Sequence, residues 1–285
     1  DLWIGYTYGG ISVLRDGHLT NYDSTHGLPI GAVTAFAKTS DGTVWAGTTR
    51  GLFRLEQGQW RVVNASWNVP VIYVDALLVD RDRVLWLLEG EQIFYLRPGS
   101  ARFEKLSVDV SGIETGMVLL DHEGVAVFCA YERFGVLKLQ APTNDHASAP
   151  EWEHTRGATA VHAKCAFDRE GHLWSGSAEG AGRFVSSRET SASAAEQLRR
   201  YRADLAPLTG EYVSQILEDR EGNIWVATSG GLDRFRAPAL LKVPLNTGPL
   251  NFLLAPAGER GMWVGTALGH IYRFDRAQRE QIERK

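Results

Sequence analysis

Residues Asp219-Arg220-Glu221-Gly222-Asn223-Ile224-Trp225-Val226-Ala227-Thr228, with Gly231-Leu232 close behind, spell a polar turn, a short apolar strand, a glycine turn and another strand. The same order returns in Asp41-Gly42-Thr43-Val44-Trp45-Ala46-Gly47-Thr48 followed by Gly51-Leu52, and again from Asp168 through Trp174 to Gly180. Trp3, Trp45, Trp86, Trp174, Trp225 and Trp263 all share this context. Trp3 to Trp45 is 42 residues, Trp45 to Trp86 is 41, and Trp225 to Trp263 is 38. The 88 residues from Trp86 to Trp174 hold one more copy, in which Val127 follows Gly124 by three, as Trp174 follows Gly171. Seven copies of about 40 residues is the period of a solenoid, propeller or array.

The segments within each copy read as strands. Val33-Thr34-Ala35-Phe36-Ala37, Val213-Ser214-Gln215-Ile216-Leu217 and Gly51 to Leu55 are short, rich in β-branched or aromatic residues, and bounded by glycine and aspartate. Each copy offers about four: strand A before the Asp-x-x-Gly turn, B with the tryptophan, C at Gly-Leu, and D at the next aromatic, as in Trp60-Arg61-Val62-Val63 and Trp152-Glu153. Four short antiparallel strands per copy describe a propeller blade. The expected fold is therefore all-β, a seven-bladed β-propeller of four-stranded antiparallel blades. It forms one domain over residues 1–285, with repeats near 1–40, 41–79, 80–120, 121–167, 168–218, 219–256 and 257–285. One blade is expected to be incomplete. The chain opens on a strand B, Leu2-Trp3-Ile4, leaving six A strands for seven B strands, so the missing strand is expected from outside these residues, in a longer chain.

The repeat accounts for the two oddities of composition, nine Trp and 30 Gly in 285 residues. A tryptophan on strand B fills the space between neighbouring blade faces. Asp80, Asp121, Asp168 and Asp219 are expected to cap their own turns, and the following glycines to supply positive φ. That is a structural role; carboxylates repeated in separate blades do not make one active site. The hydrophobic share of 44% supports a core, and the net charge of −4 with scattered Lys and Arg excludes a dedicated nucleic-acid binder. No run of about 18 apolar residues spans a membrane. Cys129 and Cys165 lie in strand-like text as small buried hydrophobes and allow at most one disulfide.

The pattern Asp-x-x-Gly-x-[Leu/Ile]-Trp-x-Gly-Thr then Gly-Leu, with Gly27-Leu28-Pro29-x-x-x-Val33 leading into a blade, resembles the two-component regulator propeller repeat. Asp219–Leu232, Asp168–Gly180 and Gly42–Leu55 carry the resemblance most cleanly; the copies with Leu87-Leu88, Val127, or Ala257 and Arg260 depart from it. The resemblance implies a periplasmic sensor domain of a receptor whose downstream part is a kinase or diguanylate cyclase. It also implies a ligand that is a small molecule or glycan fragment. The expected partners are that ligand, the downstream domains of the same receptor and a second copy of the chain in a homodimer. No cofactor, metal or nucleic acid is expected, and no catalysis by the propeller.

Propeller geometry puts the D–A and B–C connections on one face. The residues expected there as ligand contacts are Tyr8, Arg50, Trp67, Asn68, Tyr131, Glu132, Arg133, Arg156, Glu211 and Tyr212. Aromatics beside Arg, Glu and Asn suit sugar rings, by stacking and by hydrogen bonds to hydroxyls. Trp67 stands out because it lies outside the tryptophan register, and Arg133 because its B–C segment is two residues longer than that of Trp45. Insertions at Gln140 to Pro150 and Ser186 to Glu196 fall between strands C and D, away from that face; the second reads as a short helix over Ala192 to Arg200. His154 and His162 flank one turn, but no His-Glu-x-x-His, Gly-x-Ser-x-Gly or phosphate-binding glycine loop occurs. Two alternatives stand beside the sensor: a propeller enzyme resembling streptogramin lyase, whose similar repeat tends to continue Phe-Thr after Trp, and a protein-interaction scaffold.

Overall fold

The structure is a computed structural model; it describes residues 1–63, 65–69, 73–108, 116–130, 135–142, 152–154, 164–177, 180–184, 207–236, 239–243, 252–257, 261–266, 271–275 and 278–282. The chain divides into two compact units, residues 1–128 with 136–152, and residues 129–135 with 153–285. Both insertions lie largely outside the described residues, as do the expected helix and His162.

The described residues form seven antiparallel sheets, each a meander in sequence order. The first unit holds β1 (Leu2–Gly5), β2 (Ile11–Arg15) and β3 (His18–Tyr22) in one sheet. The second sheet is β4 (Val33–Lys38), β5 (Val44–Thr48), β6 (Gly51–Glu56) and β7 (Gln59–Val63). The third is β8 (Ala76–Val79), β9 (Leu85–Glu89), β10 (Gln92–Leu96) and β11 (Glu104–Lys105). The fourth is β12 (Gly116–Leu120), β13 (Ala126–Ala130), β14 (Gly135–Lys138) and β15 (Trp152–His154), with residues in both units. The second unit continues with β16 (Lys164–Phe167), β17 (Leu173–Ser177) and β18 (Gly180–Phe184). Then come β19 (Val213–Glu218), β20 (Ile224–Thr228), β21 (Gly231–Arg236) and β22 (Ala239–Val243). The last sheet is β23 (Phe252–Ala257), β24 (Gly261–Thr266), β25 (Ile271–Asp275) and β26 (Gln278–Ile282). The A, B, C, D order of the repeat is thus the strand order of the sheets, and the first sheet begins at strand B.

The aspartates do more than close turns. Oδ1 of Asp219 accepts from the amides of Glu221 and Asn223 at 3.0 and 2.8 Å, while Oδ2 accepts from the Trp225 indole at 2.7 Å. Asp168 does the same for Trp174 at 2.9 Å and Asp80 for Trp86 at 2.7 Å. In the second sheet Thr39 stands at the aspartate position and its Oγ1 accepts from the Trp45 indole at 3.1 Å. The six-residue spacing therefore anchors the buried ring of strand B to the A–B turn, satisfying an indole N–H that burial would otherwise leave unpaired. Where Val127 replaces the tryptophan, Asp121 still binds the amides of Glu123 and Val125, and Lys138 Nζ lies 3.9 Å from its carboxylate.

The glycine two residues after the tryptophan is a socket. A Cβ on Gly47 would lie 2.5 Å from Cγ1 of Val74, just ahead of strand A of the next sheet. Gly5 faces Val33 at 2.6 Å and Phe36 at 3.3 Å, and Gly176 faces Val213 at 3.2 Å and Ile216 at 3.3 Å. Around these contacts Trp45, Leu52, Val74, Leu77, Leu85 and Leu87 form one buried cluster of the first unit, and Ile11, Val44, Ala46, Phe53 and Trp60 another. In the second unit Trp225, Leu254, Val264 and Tyr272 pack together.

Candidate functional site

At one end of the sheets of the first unit, the B–C turns and the starts of the A strands are laced by backbone hydrogen bonds. Tyr6 O accepts from Val33 N at 3.2 Å, Ala32 O from Thr49 N at 2.9 Å, Thr48 O from Val74 N at 3.0 Å, and Leu88 O from Asp75 N at 2.9 Å. Thr49 Oγ1 accepts from Ala32 N at 3.0 Å, and Gly90 N donates to Asp75 Oδ2 at 2.6 Å. The turn is possible at Gly9 because its φ of 97° lies in the left-handed region and the segment around Gly31 passes within 3.2 Å of where a Cβ would sit. These bonds hold the turns of a rim on which several side chains are exposed. Tyr8 is 89% exposed, Ile30 81% and Tyr73 42%, and Arg50, Asp75 and Glu91 are exposed beside them. Partial burial, and secondarily the carboxylate of Asp75, push the Tyr73 phenol above its ordinary pKa.

The second unit has the same construction. Ser229 N donates to Tyr212 O at 2.8 Å, and Tyr212 N to Ser229 Oγ at 3.4 Å. Thr209 is held from below by the buried carboxylate of Asp233, which accepts from its amide at 2.8 Å and its hydroxyl at 2.6 Å. Glu211 and Tyr212 are exposed at the top of strand β19. Tyr212 and Tyr73 hold one position, immediately before the first valine of the A segment, and both are 42% exposed.

Of the expected contacts, Tyr8 and Arg50 share the rim of the first unit, and Glu211 with Tyr212 that of the second. Trp67 and Asn68 require a correction, because the structure places them at the other end of the strands. The connection between β7 and β8 dips along the third sheet as a 3-10 turn, Ala65–Trp67. There the Trp67 ring packs edge-on to Trp45 at 5.7 Å, with the Arg54 guanidinium 4.4 Å from its centroid, and its carbonyl accepts from Phe103 N at 2.8 Å. Trp45 is tied to the A–B turn through Thr39, so Trp67 fills a space between sheets even though it stands outside the tryptophan register. Asn68 caps that turn with φ of 59°, as Gly27 with φ of 86° caps Ser24–His26, and its Nδ2 donates to Phe103 O at 2.9 Å. Tyr131, Glu132, Arg133 and Arg156 lie outside the described residues. Tyr73 and Ile30 were not among the expected contacts. The signal for Tyr73 was its alignment with Tyr212, each leading into Val74 or Val213.

Among the described residues no three His, Cys, Asp or Glu side chains come together as a metal-binding group, and no helix is long and apolar enough to cross a membrane. Residues 27–50 and 207–230 match the two-component regulator propeller family, and each segment runs from a D–A connection through strand B onto a B–C turn of the rim. The chain carries two-component regulator propeller repeats. Among solved structures, these repeats are similar to virginiamycin B lyase from Staphylococcus aureus, with quinupristin, at TM-score 0.64 and 11% identity over 88% of this chain and 83% of that one. YCF48 from Cyanidioschyzon merolae gives TM-score 0.66 and 15% identity over 96% of this chain and 90% of that one. PorZ of Porphyromonas gingivalis gives 0.67 and 20% over 95% of this chain, which spans 43% of PorZ. No curated protein matches the chain. The fold of the repeats is a β-propeller.

Proposed function

We propose that this propeller is the extracytoplasmic ligand-binding domain of a signal-transduction receptor, a single seven-bladed domain within a longer chain. It binds a small molecule or glycan fragment on the rim and signals to a downstream kinase or cyclase. The observation that carries the reading is the rim itself. Backbone hydrogen bonds hold its turns, while Tyr8, Ile30, Arg50 and Tyr73 are exposed in the first unit and Glu211 and Tyr212 in the second. Aromatic faces beside a guanidinium and carboxylates stack on sugar rings and bond their hydroxyls, the arrangement of a binding surface with a few convergent polar groups. Regulator-propeller repeats at 27–50 and 207–230 support the sensor class and a periplasmic location. The propeller needs no catalysis for this role: a sensor needs only different ligand affinities in two states.

The likeness to virginiamycin B lyase, at 11% identity, is one of fold. YCF48 is known bound to D1 peptide, which keeps a peptide among the ligands to be screened. The test is a thermal-shift screen of oligosaccharides, small acids and peptides, followed by calorimetry on Arg50→Ala, Tyr73→Ala and Tyr212→Ala. A rim ligand loses about tenfold in affinity or more in at least one variant, corresponding to about 1.4 kcal/mol. A ligand that binds all three as tightly as the parent chain overturns the rim as the binding surface.

A further inference from the structure

Cys129, near the end of β13, and Cys165, on β16, are both in the second unit and are buried, at 2% and 4% exposure. Their sulfurs lie 2.6 Å apart across 36 residues of sequence, although no disulfide joins them in the structure. That is closer than two unbonded sulfurs rest, and within about 0.6 Å of a disulfide bond.

The repeat shows what these two positions are for. Cys129 follows Val127 by two, the place of the socket glycine after the tryptophan. Cys165 pairs with Ser175 across the sheet, as Phe36 pairs with Ala46 and Ile216 with Val226, so the three hold one position on strand A. In two other copies a socket glycine faces that residue: Gly5 is 3.3 Å from Phe36 and Gly176 is 3.3 Å from Ile216, measured from an added Cβ. A glycine against a large side chain has thus been replaced by two cysteines against each other. They are the only two in 285 residues.

We propose that Cys129 and Cys165 are a covalent modification site, joined as a disulfide when the chain folds in an oxidising compartment. Both S–H bonds break and one S–S bond forms. Two electrons and two protons pass to the disulfide of a thiol oxidase, which leaves as a dithiol. The hydrogen bond that the Cys129 thiol donates to Cys165, and then burial, push the Cys129 thiol well up, so the pair, once enclosed as thiols, is a poor nucleophile. Oxidation therefore belongs to the folding chain, before the sheets close over the sulfurs. The bond then ties β13 to β16 where other copies rely on packing alone.

The experiment exports the full chain to the periplasm of a bacterial host, unfolds it in denaturant with N-ethylmaleimide, and weighs it before and after reduction. The expected result is no maleimide added until the sample is reduced and then two; two added without reduction overturns the proposal. Cys129→Ala is the control that separates an internal bond from other oxidation: it should take one maleimide without reduction. A monomeric variant that still blocks Cys165 also overturns the proposal. Since the bond closes a loop of nearly forty residues, reduction should lower the melting temperature of the exported protein by roughly 5–10 °C. The mass readout does not depend on any rim ligand, so its failure and that of the sensor reading are separate.

Discussion

A single carboxylate in this chain does two jobs at once. Asp219 holds its turn with one oxygen and the indole of Trp225 with the other, so removing it leaves a buried N–H without a partner as well as a looser turn. Asp219→Ala should cost about 1–3 kcal/mol by urea denaturation, and Trp225→Phe in that background should add less than it does alone, because the two share one bond. Asp168 gives the same geometry a pH signature. Burial disfavours its charge, but the Trp174 indole, the His172 amide and the His172 side chain outweigh that and hold its carboxyl below the ordinary value. A carboxylate whose folded pKa is depressed contributes stability that is present above the unfolded value, near 3.9, and is lost as pH falls through the folded one. Asp168→Asn should therefore flatten the loss of melting temperature on acidification below about pH 4.

At the scale of strands, the motif glycine is a receptacle for the next sheet. Gly47→Ala would put a methyl 2.5 Å from Val74 and should destabilise by about 1–3 kcal/mol, with Val74→Ala restoring part of the loss, as read from urea midpoints. Here too lies the measure of what sequence can tell. The strands were legible because their turns are punctuated by Gly and Asp: the expected Val33–Ala37, Gly51–Leu55 and Val213–Leu217 became Val33–Lys38, Gly51–Glu56 and Val213–Glu218. The rim was legible only in part. Tyr8, Arg50, Glu211 and Tyr212 follow from which turn a residue occupies, which spacing fixes. Trp67 and Asn68 do not, because a D–A connection is long enough to leave its end of the sheet, descend beside the neighbouring strands and return. Ring packing and a positive φ direct that descent, and neither shows in the period.

Among the described residues, the packing residues and the exposed rim residues are different sets, so stability and binding should respond to different substitutions. Arg50→Ala and Tyr8→Ala should leave the melting temperature within the small range typical of surface changes, about 0.5 kcal/mol. A ligand present at a hundred times its dissociation constant should stabilise the protein by about 2.7 kcal/mol, or roughly 5–10 °C, and a rim variant should lose that gain without losing its fold.

The rim bonds described above join main chain to main chain or to the side chains of Thr49, Asp75, Ser229 and Asp233. The side chains of Tyr8, Ile30, Arg50 and Tyr73 take no part in those bonds and could therefore be exchanged without disturbing the lacing. Positions 8, 30, 50 and 73 of the first unit form, in effect, a blank alphabet written on a fixed page. Diversifying those codons together in a display library should return mostly folded clones with new specificities, and natural lineages would be free to drift from one ligand to another by the same route.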